Sequence, residues 1–202
     1  MTTILLIRHG NIEMADRVPG RMPGVHLSEK GRRQAEFLAE RLGTVRIDRI
    51  AVSPLDRARE TAEPLARHAG IVPEVREELN EIDFGDWTGR QFEELEIDPE
   101  WKRFHAFRNG TPVPGGELMV EVQVRMIKAV MEYNQRFPNG TVAFVSHNDP
   151  IKSVIACMLG ISLDLFLRIA IETGSISAVT VDNHAFRVLS VNLTGEYAFP
   201  VY

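Results

Sequence analysis

A single cysteine, Cys157, occurs among the 202 residues, so no intramolecular disulfide can form and a reducing, cytoplasmic setting is expected. Positive charge is not in excess either: 23 lysines and arginines stand against 28 aspartates and glutamates, a formal net charge of −5. That balance argues against nucleic acid as a partner, since a phosphate backbone selects a basic face. No apolar run approaches the ~18 residues that a membrane span requires, so no membrane partner is expected. The opening MTTILLI lacks the basic region and small-residue cleavage site of a secretory leader. There is no G-x-x-x-x-G-K-[ST] loop to cradle a nucleotide and no H-E-x-x-H pair to hold a metal. His9, His26, His68, His105, His147 and His184 are scattered rather than clustered, so neither a metal nor a cofactor is expected. No repeat, low-complexity tract or linker divides the chain. With 44% hydrophobic and 25% charged residues, it reads as one globular domain, 1–202.

What is present alternates between strands and helices. TILLI (Thr3–Ile7) is a short continuous apolar run, the pattern of a strand buried on both faces. In LSEKGRRQAEFLAERL, Ala35, Leu38, Ala39 and Leu42 recur at helical spacing behind Ser28 as N-cap, and Gly31 costs little in a first turn. IDRIAVS predicts a second strand. The following SPLDRARETAEPLARHAG predicts a helix with Ser53 as N-cap, Pro54 at N1 and Gly70 closing it. TVAFVS predicts a third strand, and HNDPIKSVIACMLG a helix opened by Asp149-Pro150, closed by Gly160, with Cys157 in the core. SISAVTV and AFRVLSV flank DNH as a hairpin at the edge of the sheet, a surface where a second copy could pair as a homodimer. This order implies a largely parallel sheet with helices on both faces. The irregular stretch Leu79 to Gly116 is read as an insertion that shapes a pocket.

Ligands of open α/β sheets bind beyond the carboxyl ends of the strands. Three such ends carry Arg8-His9-Gly10, Ser53-Pro54-Leu55-Asp56-Arg57 and Ser146-His147-Asn148. Two histidines, two arginines and two helix N-termini suit a bound phosphate, because arginine forks and free N–H groups both favour an oxyanion. Taken singly, each histidine could be a loop residue, Arg57 a surface residue and Gly10 a simple turn. Their coincidence at equivalent positions is what carries the reading. Cysteine chemistry is disfavoured, because no arginine follows Cys157 closely. With thiol, P-loop and metal chemistry set aside, a histidine nucleophile remains.

LLIRHG, SPLDRARETA, ELNEIDFGDWTG, PGGE and VAFVSHNDPI, in that order and spacing, resemble the signatures of the histidine phosphatase superfamily, the phosphoglycerate-mutase-like fold, over Ile4 to about Gly160. The resemblance implies a three-layer α/β/α sandwich with a mostly parallel sheet, an antiparallel edge and a helical insertion near the active site. It implies His9 as the nucleophile, Arg8, Arg57 and His147 around the phosphate, and Glu81 as proton donor. Spacing alone leaves the choice open among Glu81, Glu77, Glu78, Glu93, Glu94 and Glu96. On physical grounds a neutral imidazole is nucleophilic near pH 7, and its other nitrogen can be oriented by a backbone carbonyl such as that of Gly10.

The sequence departs from the family pattern at two points. Ala15 stands where many members place a phosphate-holding asparagine, which leaves two alternatives: Asn11 takes over that task, or the loop binds phosphate differently. Asn148 replaces a common glycine, which leaves its backbone N–H as the phosphate contact. Arg21 is expected at the substrate, with His26, Lys152 and the aromatics Phe84, Trp87, Trp101 and Phe104 as further candidates, although such aromatics more often pack. The compact stretch from Glu81 to Glu117 favours water as acceptor. A small-molecule phosphate ester is thus the expected substrate and a phosphatase the expected enzyme, with a phosphoglycerate mutase and a non-catalytic phosphate binder as alternatives.

Overall fold

The structure is a computed structural model that describes residues 1–14, 16–182 and 185–195. Ala15, residues 183–184, which include part of the DNH stretch read as a turn, and residues 196–202 lie outside the described residues. Six strands form one sheet: β1 (Thr2–Arg8), β2 (Arg49–Val52), β3 (Glu74–Val75), β4 (Thr141–Ser146), β5 (Ile176–Val181) and β6 (Phe186–Leu193). Their order is β3-β2-β4-β1-β5-β6. The first four are mutually parallel, whereas β5 runs antiparallel to both β1 and β6, so the hairpin forms the edge.

β1 is buried on both faces as its composition requires, because its alternate side chains feed two cores. Ile4 and Leu6 pack toward α5 (Met119–Arg136) and α6 (Asn148–Leu159). Leu5 and Ile7 pack toward α1 (Glu29–Arg41) and α2 (Asp56–Ala69). These are the three layers of an α/β/α sandwich. A third cluster lies around the inserted stretch, which contributes α3 (Phe92–Leu95) and α4 (Pro99–Ala106). Its Ile82, Trp87, Leu95, Phe104 and Val113 pack with Met119 and Val122 of α5, Ala156 of α6, and Phe166. Trp87 and Phe104 are therefore packing residues. No helix among the described residues is long and apolar enough to cross a membrane.

Several local expectations change. α5 is absent from the sequence reading, although Met119, Val122, Met126, Ala129, Val130 and Tyr133 give it a buried stripe at helical spacing. α2 begins at Asp56 with Leu55 in the cap position and no side-chain cap, because the Ser53 hydroxyl is turned to His147 instead. α6 begins at Asn148 with His147 in the cap position, while Asp149 faces Arg108 rather than capping the helix. Cys157 is exposed rather than in the core, because it lies on the outer face of α6, between Ala156 and Met158, which pack inward. Ser28 caps α1 as expected, its Oγ accepting from the Gly31 N–H at 3.1 Å, and Gly70 and Gly160 close α2 and α6 with left-handed φ values of 66°.

Gly31 is required rather than merely tolerated. A Cβ there would meet the Asn11 carbonyl oxygen at 2.1 Å, and one on Gly10 would meet the Gly31 oxygen at 2.6 Å. The two glycines let the loop after β1 lie directly on the first turn of α1. Alanine at an ordinary helical glycine adds about 1 kcal/mol of stability. Here Gly31→Ala is expected to cost about 1–3 kcal/mol through backbone overpacking, lowering Tm by roughly 3–10 °C. Thermal unfolding followed by circular dichroism checks this; an unchanged or raised Tm would show that the loop yields.

Candidate active site

The register of the sheet brings the three strand ends together. Arg8 is the pairing partner of Ser146, the His9 N–H donates to the Ser146 carbonyl at 3.0 Å, and the Ser53 N–H donates to the Val145 carbonyl at 3.0 Å. His9 and His147 therefore emerge side by side, with ring centroids 5.1 Å apart. Both rings are buried.

His9 Nδ1 lies 2.7 Å from the Gly10 carbonyl oxygen, so it carries the proton and donates, and Nε2 keeps its lone pair. The loop that presents it is pinned by Thr61 of α2. The Thr61 hydroxyl accepts from the Gly10 N–H at 2.9 Å and donates to the Arg57 carbonyl at 2.6 Å, one helical turn away. Burial, then Arg57 and Arg8, hold the His9 pKa well below 6.5, so the imidazole is neutral near pH 7. Burial followed by Arg57 and His9 lowers the pKa of His147 in the same way. His147 Nε2 lies 2.7 Å from Ser53 Oγ.

Arg57 is only 1% exposed, far from the surface residue its helical position allowed. Its Nη2 donates to the Gly20 carbonyl at 2.7 Å, and Arg8 Nη1 donates to the Ile171 carbonyl at 2.5 Å. The remaining donors are conspicuous: Arg8 Nε, Arg57 Nε and Nη1, and His147 Nδ1 are all buried without a partner among the described residues. Buried polar groups are nearly always satisfied. Four unsatisfied nitrogens from mutually close residues mark a place where an oxyanion fits.

Of the glutamates that spacing could not separate, Glu81 is the buried one at 9% exposure. Its Oε1 accepts from the Ile82 N–H at 2.9 Å. Burial, with the Asp149 charge adding to it, pushes its pKa up to about 7. Burial would raise Asp149 as well, but the Arg108 guanidinium, 2.6 Å away, outweighs it and holds Asp149 ionised. The two carboxyls are thereby driven apart, one toward the acid form and one toward the anion. Glu81 is positioned from outside the pocket. Arg21 and Arg125 both donate to its backbone carbonyl, at 2.8 and 3.1 Å, and both pair with Glu117, which also accepts the Asp83 N–H. Ser146 Oγ ties the same segment to β4 through the Leu79 carbonyl at 2.7 Å.

Arg21, expected at the substrate, is thus a brace beneath Glu81, its fork engaged by Glu117 and that carbonyl. The side-chain oxygen of Asn11 accepts from Ser28 Oγ at 2.7 Å, tying it to the start of α1, and Asn148 donates to Asp149 at 3.0 Å. His26 is exposed and paired with Glu60. The sequence reading missed Ser53 as a partner of His147, and also Thr61, Glu117 and Arg125. Thr61, at i+4 from Arg57, was the most legible of these, and Glu117 stood in a quoted motif without a role.

A mostly parallel sheet whose carboxyl edge holds a neutral imidazole among unsatisfied cationic donors defines an α/β enzyme suited to an oxyanion. The model of the histidine phosphatase superfamily (branch 1) matches residues 4–194, and the chain belongs to that superfamily. Phosphoserine phosphatase 1 of Hydrogenobacter thermophilus is 31% identical over 96% of this chain and 93% of its own length. The probable phosphoglycerate mutase GpmB of Cronobacter sakazakii is 32% identical over 89% of this chain and 85% of its own. Among solved structures, mycobacterial glucosyl-3-phosphoglycerate phosphatase superposes with a TM-score of 0.84 at 26% identity, over 95% of this chain and 99% of that one. Within the superfamily these likenesses support a phosphoric monoester hydrolase.

Proposed function

We propose that the chain hydrolyses a small phosphorylated metabolite through a phosphohistidine on His9 Nε2. The observation that carries this reading is the set of four buried, unpartnered donors around a neutral imidazole. In the first step Nε2 attacks phosphorus, the P–O bond to the leaving group breaks, and that oxygen takes the Glu81 proton. In the second step water attacks phosphohistidine, Glu81 takes a proton from the water, and inorganic phosphate leaves with His9 regenerated. Arg8 and Arg57 neutralise the transferring group. With the Ser53 hydroxyl donating to Nε2 of His147, the Nδ1–H of that ring is left to donate to a phosphate oxygen. The backbone N–H of Asn148, at the start of α6, faces the same anion.

Water is favoured over a second phosphate ester as acceptor because the insertion buries no cation that lacks an acidic partner. Lys102 and Arg103 are exposed, and Arg108 is bound to Asp149. Turnover of p-nitrophenyl phosphate with excess 3-phosphoglycerate present should release inorganic phosphate equal to the nitrophenol formed. Phosphoryl transfer to the glycerate ester, seen as bisphosphoglycerate or 2-phosphoglycerate, would mark a mutase. Absence of any turnover would leave the binder reading. We further infer a cytoplasmic location, consistent with the lone cysteine, and pairing of a second copy along the exposed edge of β6.

A further inference from the structure

Glu117 stands two residues before α5, outside the pocket, and no step of the mechanism above involves it. The surroundings of the proton donor nevertheless converge on it. Among the described residues the Glu81 carboxyl accepts one hydrogen bond, from the Ile82 N–H at 2.9 Å, so it sits where the backbone of residues 81–82 puts it. That backbone is held at the Glu81 carbonyl by two guanidiniums, Arg21 through Nε at 2.8 Å and Arg125 through Nη2 at 3.1 Å. Arg125 also donates from Nη1 to the Glu78 carbonyl at 2.5 Å. Two cations on one oxygen repel each other unless an anion stands between them.

Glu117 is that anion. Its Oε2 accepts from Arg21 Nη2 at 2.7 Å, and it meets Arg125 as a fork, Oε1 to Nε and Oε2 to Nη2, both at 3.2 Å. Oε2 also accepts the Asp83 N–H at 3.0 Å, and the Glu117 N–H donates to the Asp83 carbonyl at 3.0 Å. A Cβ on Gly116 would meet that carbonyl oxygen at 2.2 Å, so glycine is what lets the two segments lie together. The neighbouring carboxylates are no substitute: Asp83 Oδ2 lies 3.7 Å from Arg21 Nη1, a longer contact, and Glu78 pairs with Arg76. Resting on the phosphatase reading, we propose that Glu117 is a positioning residue for proton transfer. It binds Arg21 and Arg125 together on the Glu81 carbonyl and so fixes the Glu81 carboxyl at the leaving-group oxygen, without touching the substrate.

The test is kcat/KM, which covers events only as far as phosphohistidine, over ring-substituted phenyl phosphates from p-nitrophenyl to p-methoxyphenyl. These esters vary the basicity of the leaving oxygen, and hence its need for a proton, at nearly constant shape. In Glu117→Gln the loss is expected to be about threefold or less at the nitrophenyl end. It should grow to roughly 10–100-fold at the methoxyphenyl end, since a displacement of about 1 Å can cost 10²-fold. A residue that merely supports the fold or the phosphate pocket would lower every member alike. Arg125→Gln, which removes one of the two guanidiniums and leaves Glu117 in place, should give the same dependence and serves if Glu117→Gln fails to fold. A loss that is uniform along the series, or no loss, would overturn the proposal. If the wild-type protein cleaves no member of the series, the phosphatase reading itself has failed. Wild-type cleavage with a uniform loss in the variants sinks only the role of Glu117.

Discussion

Alanine at position 9 is expected to lower hydrolysis of p-nitrophenyl phosphate by about 10⁴-fold or more, the scale on which loss of an obligate nucleophile is felt. No neighbour can take over. His147 Nε2 and the Ser53 hydroxyl occupy each other, and Cys157 is exposed in the last turn of α6. Rapid quenching of the wild-type enzyme with labelled substrate should trap an acid-labile, base-stable phosphoryl group that is absent from His9→Ala. Comparable turnover by the two proteins would sink the histidine nucleophile. The pH dependence adds a separate check. Because burial, Arg57 and Arg8 keep the His9 pKa well below 6.5, the nucleophile is already deprotonated across the neutral range. His9 therefore contributes no acid limb near neutrality. A limb close to pH 6 belongs to the second ionisation of the ester, since phosphate esters have a second pKa of about 6.

Glu81→Gln should cost about 10²–10⁴-fold in kcat/KM on alkyl phosphate esters, the usual range for a general acid. The loss on p-nitrophenyl phosphate should be much smaller, because nitrophenolate is a weak base that departs without a proton. The pH profile follows from the direction of the Glu81 shift. Its pKa is raised to about 7, chiefly by burial and then by Asp149, so the protonated donor persists below that pH and is lost above it. Wild-type kcat/KM on an alkyl ester is thus expected to decline as pH rises through about 7, and the glutamine variant should lack that limb. Equal losses on the two ester types, or an alkaline limb that survives the substitution, would remove Glu81 from the donor role.

Much of the frame was legible because its signals are local. Apolar runs marked β1 and β4, Ser28 and Gly70 marked helix ends, and RHG and SHND stood at the ends of strands. Where the reading went astray, a tertiary partner had overridden a local rule. Ser53 has the identity and position of an N-cap, yet its hydroxyl serves His147 from 94 residues away in sequence. Gly31 read as a tolerated helical residue, yet the Asn11 carbonyl occupies the space a side chain would need. The long helix α5 carries an apolar stripe at helical spacing, a signal as local as those of β1 and β4.

By itself the sequence determined the class of chemistry. The strand ends of a parallel sheet must meet on one side, so arginine and histidine placed after such strands converge whatever else the chain does. Only the tertiary structure decided the protonation states. A glutamate is a good acid at neutral pH when burial strips its water and a fixed anion stands beside it, and nothing in a run of glutamates says which one will be buried. In the same way, Asp149 is one aspartate in the first turn of a helix until Arg108 is seen to hold it ionised. Pairing between distant residues sets those energies, and pairing exists only in the folded chain.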